Sequence, residues 1–296
     1  MVPASATPTG TPTASPSPAT PSPTPTEADW VPEGDWKLVL DSDFDSGSLP
    51  KPWRHRQTDV YEAGGRWCSA PRKANVDLAG GSIELTMSRA SKATTRSVSA
   101  EARRKQRRAG QEVVGCPEGV FDNAMVSTEG RFAIETGVVA ARVKFPVEQG
   151  AHAGVWLQSP QGQELDMIET FGFGRGITNI VHVAGRKIPA EGRDGYVAVE
   201  TVADPQWWAR WHTVSLEWTR SRVIFRVDGE VTRNLAVKTR RADYFLVLSL
   251  LSSDWETYRA NAPDSRPGSG VALEDVSAPD LPFSMQVDWV RAWEPA

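Results

Sequence analysis

Between Gly162 and Thr170 the chain reads Gly-Gln-Glu-Leu-Asp-Met-Ile-Glu-Thr, which sets three carboxylates, Glu164, Asp166 and Glu169, among apolar residues. Two carboxylates flanking a bond are the equipment of glycoside hydrolysis. One attacks the anomeric carbon, and the other, kept protonated, gives its proton to the leaving oxygen. An acid between them can hold a proton or a hydrogen bond and push the flanking pKa values apart. The competing reading is a solvated strand face whose acids pair with Lys or Arg across the ladder. The apolar flanks, with Trp156 and Leu157 shortly upstream, favour a buried cleft.

These carboxylates need a strand to hold them. Alternation of acid and apolar residue puts Glu164 and Asp166 on one face and Leu165 and Met167 on the other. Strict alternation would turn Glu169 away. One extra residue at Met167–Ile168, a β-bulge, brings it back. Retaining glycosidases hold their two carboxyl groups about 5–5.5 Å apart. Glu164 and Glu169 are roughly 13 Å apart along such a strand, so both side chains must lean inward on a curved, concave sheet.

The rest of the chain supplies more strands. Trp36–Asp45 alternates into a turn at Ser46–Gly47, and Ala74–Asp77 with Ser82–Met87 reads as a hairpin around Gly80–Gly81. Gly130-Arg-Phe and Gly137–Pro146 precede Gly154-Val-Trp-Leu-Gln, and Thr178–Gly185 follows the acids. Trp211–Thr219 and Arg222–Gly229 read as a hairpin with a strong Asp228–Gly229 turn. Phe245–Leu251 is a buried strand, and Met285–Trp293 is the last.

In this order the segments resemble glycoside hydrolase family sixteen over about residues 36–293. The acid cluster matches the bulged form of its signature, Glu-x-Asp-x-x-Glu. Departures are Thr136 for Tyr, Ala140 for Glu, and Ser252-Ser-Asp-Trp255 where the family often has Gly-Gly-x-Trp. The resemblance implies an all-β jelly-roll sandwich of two curved antiparallel sheets, of the concanavalin or lectin type. It implies Glu164 as nucleophile, Asp166 as its helper and Glu169 as general acid/base, with substrate contacts from Asn75, Trp156, His182 and Trp255. It implies a retaining endo-hydrolase of a polysaccharide, β-1,3- or mixed-linkage β-glucan, with no cofactor for catalysis. A structural calcium is implied at Asp43 and Asp288, with a backbone carbonyl from the Gly80–Gly81 hairpin. Galactan hydrolysis and transglycosylation use the same carboxylates, and a lectin-like binding module shares the fold but does not need three acids.

With 296 residues and a formal charge of −4, the chain is no general nucleic-acid binder. Residues 1–29, rich in Pro, Thr, Ser and Ala, read as a disordered linker, and residues 30–296 as the catalytic domain. Such tethers suit a secreted or wall-associated protein. No signal peptide is visible, so the reading expects a trimmed front end, no membrane insertion and a monomer. Residues 89–111 read as a solvated loop whose cations, Arg103, Arg104, Lys105, Arg107 and Arg108, could form a basic lip; no helix of ordinary length is expected. Cys68 and Cys116, the only cysteines, are expected to form a disulfide, which in the chain-entropy model stabilises by roughly 4 kcal/mol.

Overall fold

In a computed structural model the described residues are 30–56, 68–108, 110, 113, 116, 119–148, 150–170, 177–182, 196–199, 204–237, 239, 241–252 and 282–296. Pro32–Ala296 is one compact unit. The linker expected over residues 1–29 lies outside the described residues.

The first eight strands are β1 (Trp36–Asp43), β2 (Arg54–His55), β3 (Ser69–Pro71), β4 (Val76–Ala79), β5 (Ser82–Arg89), β6 (Phe121–Ser127), β7 (Gly137–Lys144) and β8 (Ala151–Gln158). The next eight are β9 (Glu164–Thr170), β10 (Ile177–His182), β11 (Tyr196–Val199), β12 (His212–Trp218), β13 (Val223–Val227), β14 (Glu230–Leu235), β15 (Phe245–Ser252) and β16 (Phe283–Pro295). One layer runs β11-β10-β9-β8-β15-β6, and the other β5-β16-β7-β12-β13-β14, with β1 added to β16 and β4 to β5. The layers are continuous through β5 and β6, which pair at Ser88–Asp122 and Arg89–Phe121. The result is the expected jelly-roll-like sandwich, antiparallel except where β3 meets β6.

Period-two alternation builds the core. On β8, Ala151, Ala153, Val155 and Leu157 enter the main apolar cluster with Leu165 and Met167 of β9 and Val139, Ala141 and Val143 of β7. That commits the other parity of β8 to the outer face of its layer, where the acids lie. The hairpin over Gly80–Gly81 forms as expected. β12 and β13 pair as a hairpin, but the Asp228–Gly229 turn closes the next one, β13 to β14. Both turn residues have positive φ, 51° and 84°, as a two-residue hairpin loop requires. The Asp228 carboxylate is anchored by the Thr213 amide at 2.9 Å and by His212 Nδ1 at 2.7 Å.

The stretch read as a loop is a helix. α1 spans Lys92–Arg108, seventeen residues without Gly or Pro. Ser91 caps it, its Oγ accepting from the Thr94 amide at 3.2 Å. Its buried stripe is one residue wide, Val98, Ala102 and Gln106, each four apart. Glu101 pairs with Lys105 at 3.4 Å, and Arg103, Arg104, Arg107 and Arg108 are exposed. Val98 packs on Val120 beside Cys116, and the expected Cys68–Cys116 disulfide is present, its α-carbons 5.5 Å apart. The bridge thus ties β3 to the chain that follows the helix. A second, four-residue helix, α2 (Pro205–Trp208), precedes β12.

Candidate active site

The acids sit on β9, and the ladder shows how they share a face. Toward β8, Val155 opposes Ile168 while Trp156 opposes Asp166, so Met167 is the extra residue. Toward β10, Thr178 opposes Glu169, Ile180 opposes Asp166 and His182 opposes Glu164. The bulge is therefore at Met167–Ile168, where the residue pattern requires it. Asn179, of opposite parity on β10, locks it by donating from Nδ2 to the Met167 carbonyl at 2.6 Å, and its Oδ1 accepts from Thr232 at 2.9 Å.

Burial differs sharply among the three. The Asp166 side chain is 2% exposed, against 30% for Glu164 and 15% for Glu169. Burial pushes the Asp166 carboxyl well above the usual carboxylate range, and the charges of Glu164 and then Glu169 push the same way, as does a hydrogen bond with Glu164. Burial and the flanking acids thus favour the neutral form of Asp166 over the ionised one. Both glutamates act on it from either side along the strand.

Each glutamate has its own partners. Glu169 Oε1 is 2.6 Å from His152 Nε2, and its Oε2 accepts from Thr178 Oγ1 at the outer limit of 3.5 Å. Glu164 Oε2 accepts from Gln158 Nε2 at 3.4 Å, and Gln158 Oε1 in turn accepts from Arg56 at 3.1 Å. His182 Nε2 lies 3.3 Å from Asp166 Oδ2 and 3.9 Å from Glu164 Oε1. Glu164, Asp166 and His182 present ligand atoms within 4.8 Å of one another, a set that could hold a divalent ion.

The other expected site residues divide. His182 joins the acids. Trp156 does not offer a sugar platform: it is 6% exposed and packs with Met125, Phe245, Val247 and Leu251. Its Nε1 donates to Ser249 at 3.0 Å, and the Arg56 guanidinium lies 5.9 Å from its ring centre. The indole forms the floor beside Asp166. Asn75 commits its Nδ2 to the Thr86 and Asp122 carbonyls and to Ser88 Oγ, each at 3.0 Å, so its nitrogen pins a turn onto β5 and β6. Trp255 lies outside the described residues. His152, Gln158 and Arg56 went unread in the sequence; His152 and Gln158 share the parity of Trp156 on β8, which is the signal that finds them.

The residues expected to bind calcium do not fit a cation. Asp288 Oδ2 accepts from Arg142 Nη1 at 2.7 Å, so a guanidinium already neutralises it. Asp43 is exposed opposite Trp289, and the residue lying against the Gly80–Gly81 hairpin is Asp45. Arg291 pairs with Asp41 at 3.0 Å.

Residues 69–289 match the family model described as "Glycosyl hydrolases family 16". Among curated proteins no sequence match is found. Solved structures of similar fold include the laminarinase catalytic domain of Thermotoga maritima, 20% identical with TM-score 0.63, covering 89% of this chain and 100% of that one. The endo-β-1,3-glucanase of Pyrococcus furiosus is 18% identical with TM-score 0.64, covering 89% and 97%. A mutant of SCLam, a non-specific endo-β-1,3(4)-glucanase, is 18% identical with TM-score 0.62, covering 90% and 96%, and presents 1,3-β-D-cellobiosyl-glucose at its active site. At these identities the likeness is one of fold.

Proposed function

The chain belongs to family 16 of the glycosyl hydrolases, and from that premise we propose that it cleaves a β-linked glucan within the chain, with retention, using Glu164, Asp166 and Glu169. The observation that carries this reading is a buried Asp166 between two more accessible glutamates on one strand face. β-1,3- or mixed-linkage glucan is the substrate class, supported by the laminarinases and glucanases of like fold.

Glu164 attacks the anomeric carbon as the glycosidic C–O bond breaks, and the bonding pair leaves on the oxygen. Glu169 supplies that oxygen with a proton. Water then enters: Glu169, now a carboxylate, takes its proton, the water oxygen bonds to the anomeric carbon, and the bond to Glu164 breaks. Asp166 acts by staying neutral. A third full negative charge at its position would raise the proton affinity of both glutamates, and its O–H instead donates to Glu164. His182 borders the same carboxylates and, being 45% exposed, is positioned to meet a substrate hydroxyl.

No step needs a cofactor. Asp288 is left to an ion pair, because calcium there would first have to displace Arg142. The Cys68–Cys116 bridge supports work outside the reducing cytosol, at a wall or in the medium. The purified protein incubated with a panel of β-1,3-, mixed-linkage and β-1,4-glucans and galactans, with product sizing, tests the reading. Internal oligosaccharides from the β-1,3-containing glucans are expected; cleavage of galactans alone would move the substrate class, and binding without products would make the protein a lectin.

A further inference from the structure

The residue beside Glu169 has no part in the family signature, yet it lies only 2.6 Å from that carboxylate. The alternation that buries Ala151, Ala153, Val155 and Leu157 turns His152, Gly154, Trp156 and Gln158 toward the acids. Gly154 stands opposite Glu169 in the ladder. His152 therefore reaches Glu169 on the diagonal, across a position that carries no side chain. Its Nε2 stops 2.6 Å from Glu169 Oε1, and both side chains are largely buried, at 12% and 15% exposure.

We infer that His152 is a positioning residue that holds Glu169 by Oε1 and stabilises its carboxylate, leaving Oε2 to carry the catalytic proton. This rests on the reading of Glu169 as general acid/base. That residue must be a carboxylic acid in the first half-reaction and a carboxylate in the second. With its proton on Nε2, His152 donates to Oε1 and favours the ionised form, which makes the acid stronger and steadies the product of proton donation. It also fixes rotation about the carboxyl, so that the oxygen facing Thr178 at 3.5 Å is the one turned toward the glycosidic oxygen. The other titratable groups facing this pair are Glu164 and Asp166 on β9 and His182 on β10; β15 brings Val247 and Ser249 and no charge.

The test uses His152→Ala and His152→Gln in the full chain, read by pH profiles of kcat/KM and by leaving-group dependence. Removing the donor raises the acid's pKa, so the basic limb of His152→Ala should move to higher pH by half a unit or more. Its kcat on polysaccharide should fall at least tenfold with KM little changed, and far less on an aryl glycoside whose leaving group needs no proton. His152→Gln, whose amide N–H can donate to the same oxygen, should recover most of the rate and the limb, and serves where the alanine variant fails to fold. An unchanged basic limb and equal losses on both substrate types would overturn the inference. Glu169→Gln made alongside separates the two failures: if it is inactive on polysaccharide while His152→Ala keeps the native profile, only the role of His152 falls, and if it stays active, the assignment of Glu169 falls too.

Discussion

Trp156 stands directly opposite Asp166 on the neighbouring strand, with its indole N–H turned away to Ser249. The ring therefore offers Asp166 bulk and low polarity but no hydrogen bond. That is how a strand face carrying three acids raises the pKa of one of them: an aromatic wall on one side and an acid on each flank.

The pH dependence of stability follows in sign. A carboxyl whose folded pKa is raised binds more protons in the folded state, so its contribution to stability is lost as pH rises from its unfolded value through the folded one. Asp166→Asn cannot ionise. It should melt higher than the parent at pH 8, with the gap closing toward pH 4, while losing activity. Thermal melts across that range check this, and a gap that widens on acidification would refute it.

Glu164→Gln should abolish turnover on every substrate while leaving the melting temperature and glycan binding nearly unchanged, since charge is lost and volume is not. Glu169→Gln should lose about 10²-fold or more on polysaccharide but retain hydrolysis of aryl glycosides with good leaving groups. Steady-state rates on the two substrate types separate the roles.

Reducing Cys68–Cys116, or replacing both by Ser, should lower stability by about 2–4 kcal/mol, as expected for a bridge closing a loop of this length. Urea titrations with and without reductant measure it. Helix α1 lies within the bridged segment, so its backbone amides should lose exchange protection before those of β7 and β16.

Arg142 bridges Asp288 at 2.7 Å and lies over the Trp211 ring at 4.9 Å. Arg142→Ala should cost about 1–2 kcal/mol from the lost pair and ring contact. The parent's melting temperature should be indifferent to calcium and to chelator. A calcium-dependent rise in the parent would restore a metal to this face.

The bulge was legible because chemistry labels it: three acids must share one face, and only an inserted residue between Asp166 and Glu169 allows that. The hairpin at Gly80–Gly81 and the turn at Asp228–Gly229 were legible because positive φ selects those residues. Helix α1 was hidden because its buried stripe contains Ala102 and Gln106, which carry little apolar signal. Trp156 was misplaced because an indole serves equally as sugar platform and as core, and only packing against Phe245 and Met125 decides between them. His152 could not be read, since its meaning depends on the cross-strand register that sets it diagonal to Glu169.

The extra residue in β9 also makes the separation of the two glutamates adjustable in a single genetic step. Deleting either Met167 or Ile168 would leave Glu-x-Asp-x-Glu, in which plain alternation keeps all three acids on one face and draws Glu169 nearer to Glu164 by one strand rise, about 3.3 Å. A loss of three nucleotides would thus change the reach of the catalytic pair without inverting the strand. Its structural consequence falls on Asn179, whose amide now closes on the Met167 carbonyl. A strand built this way can pass between a longer and a shorter carboxylate spacing through folded intermediates, with Asn179 as the residue that must find a new acceptor.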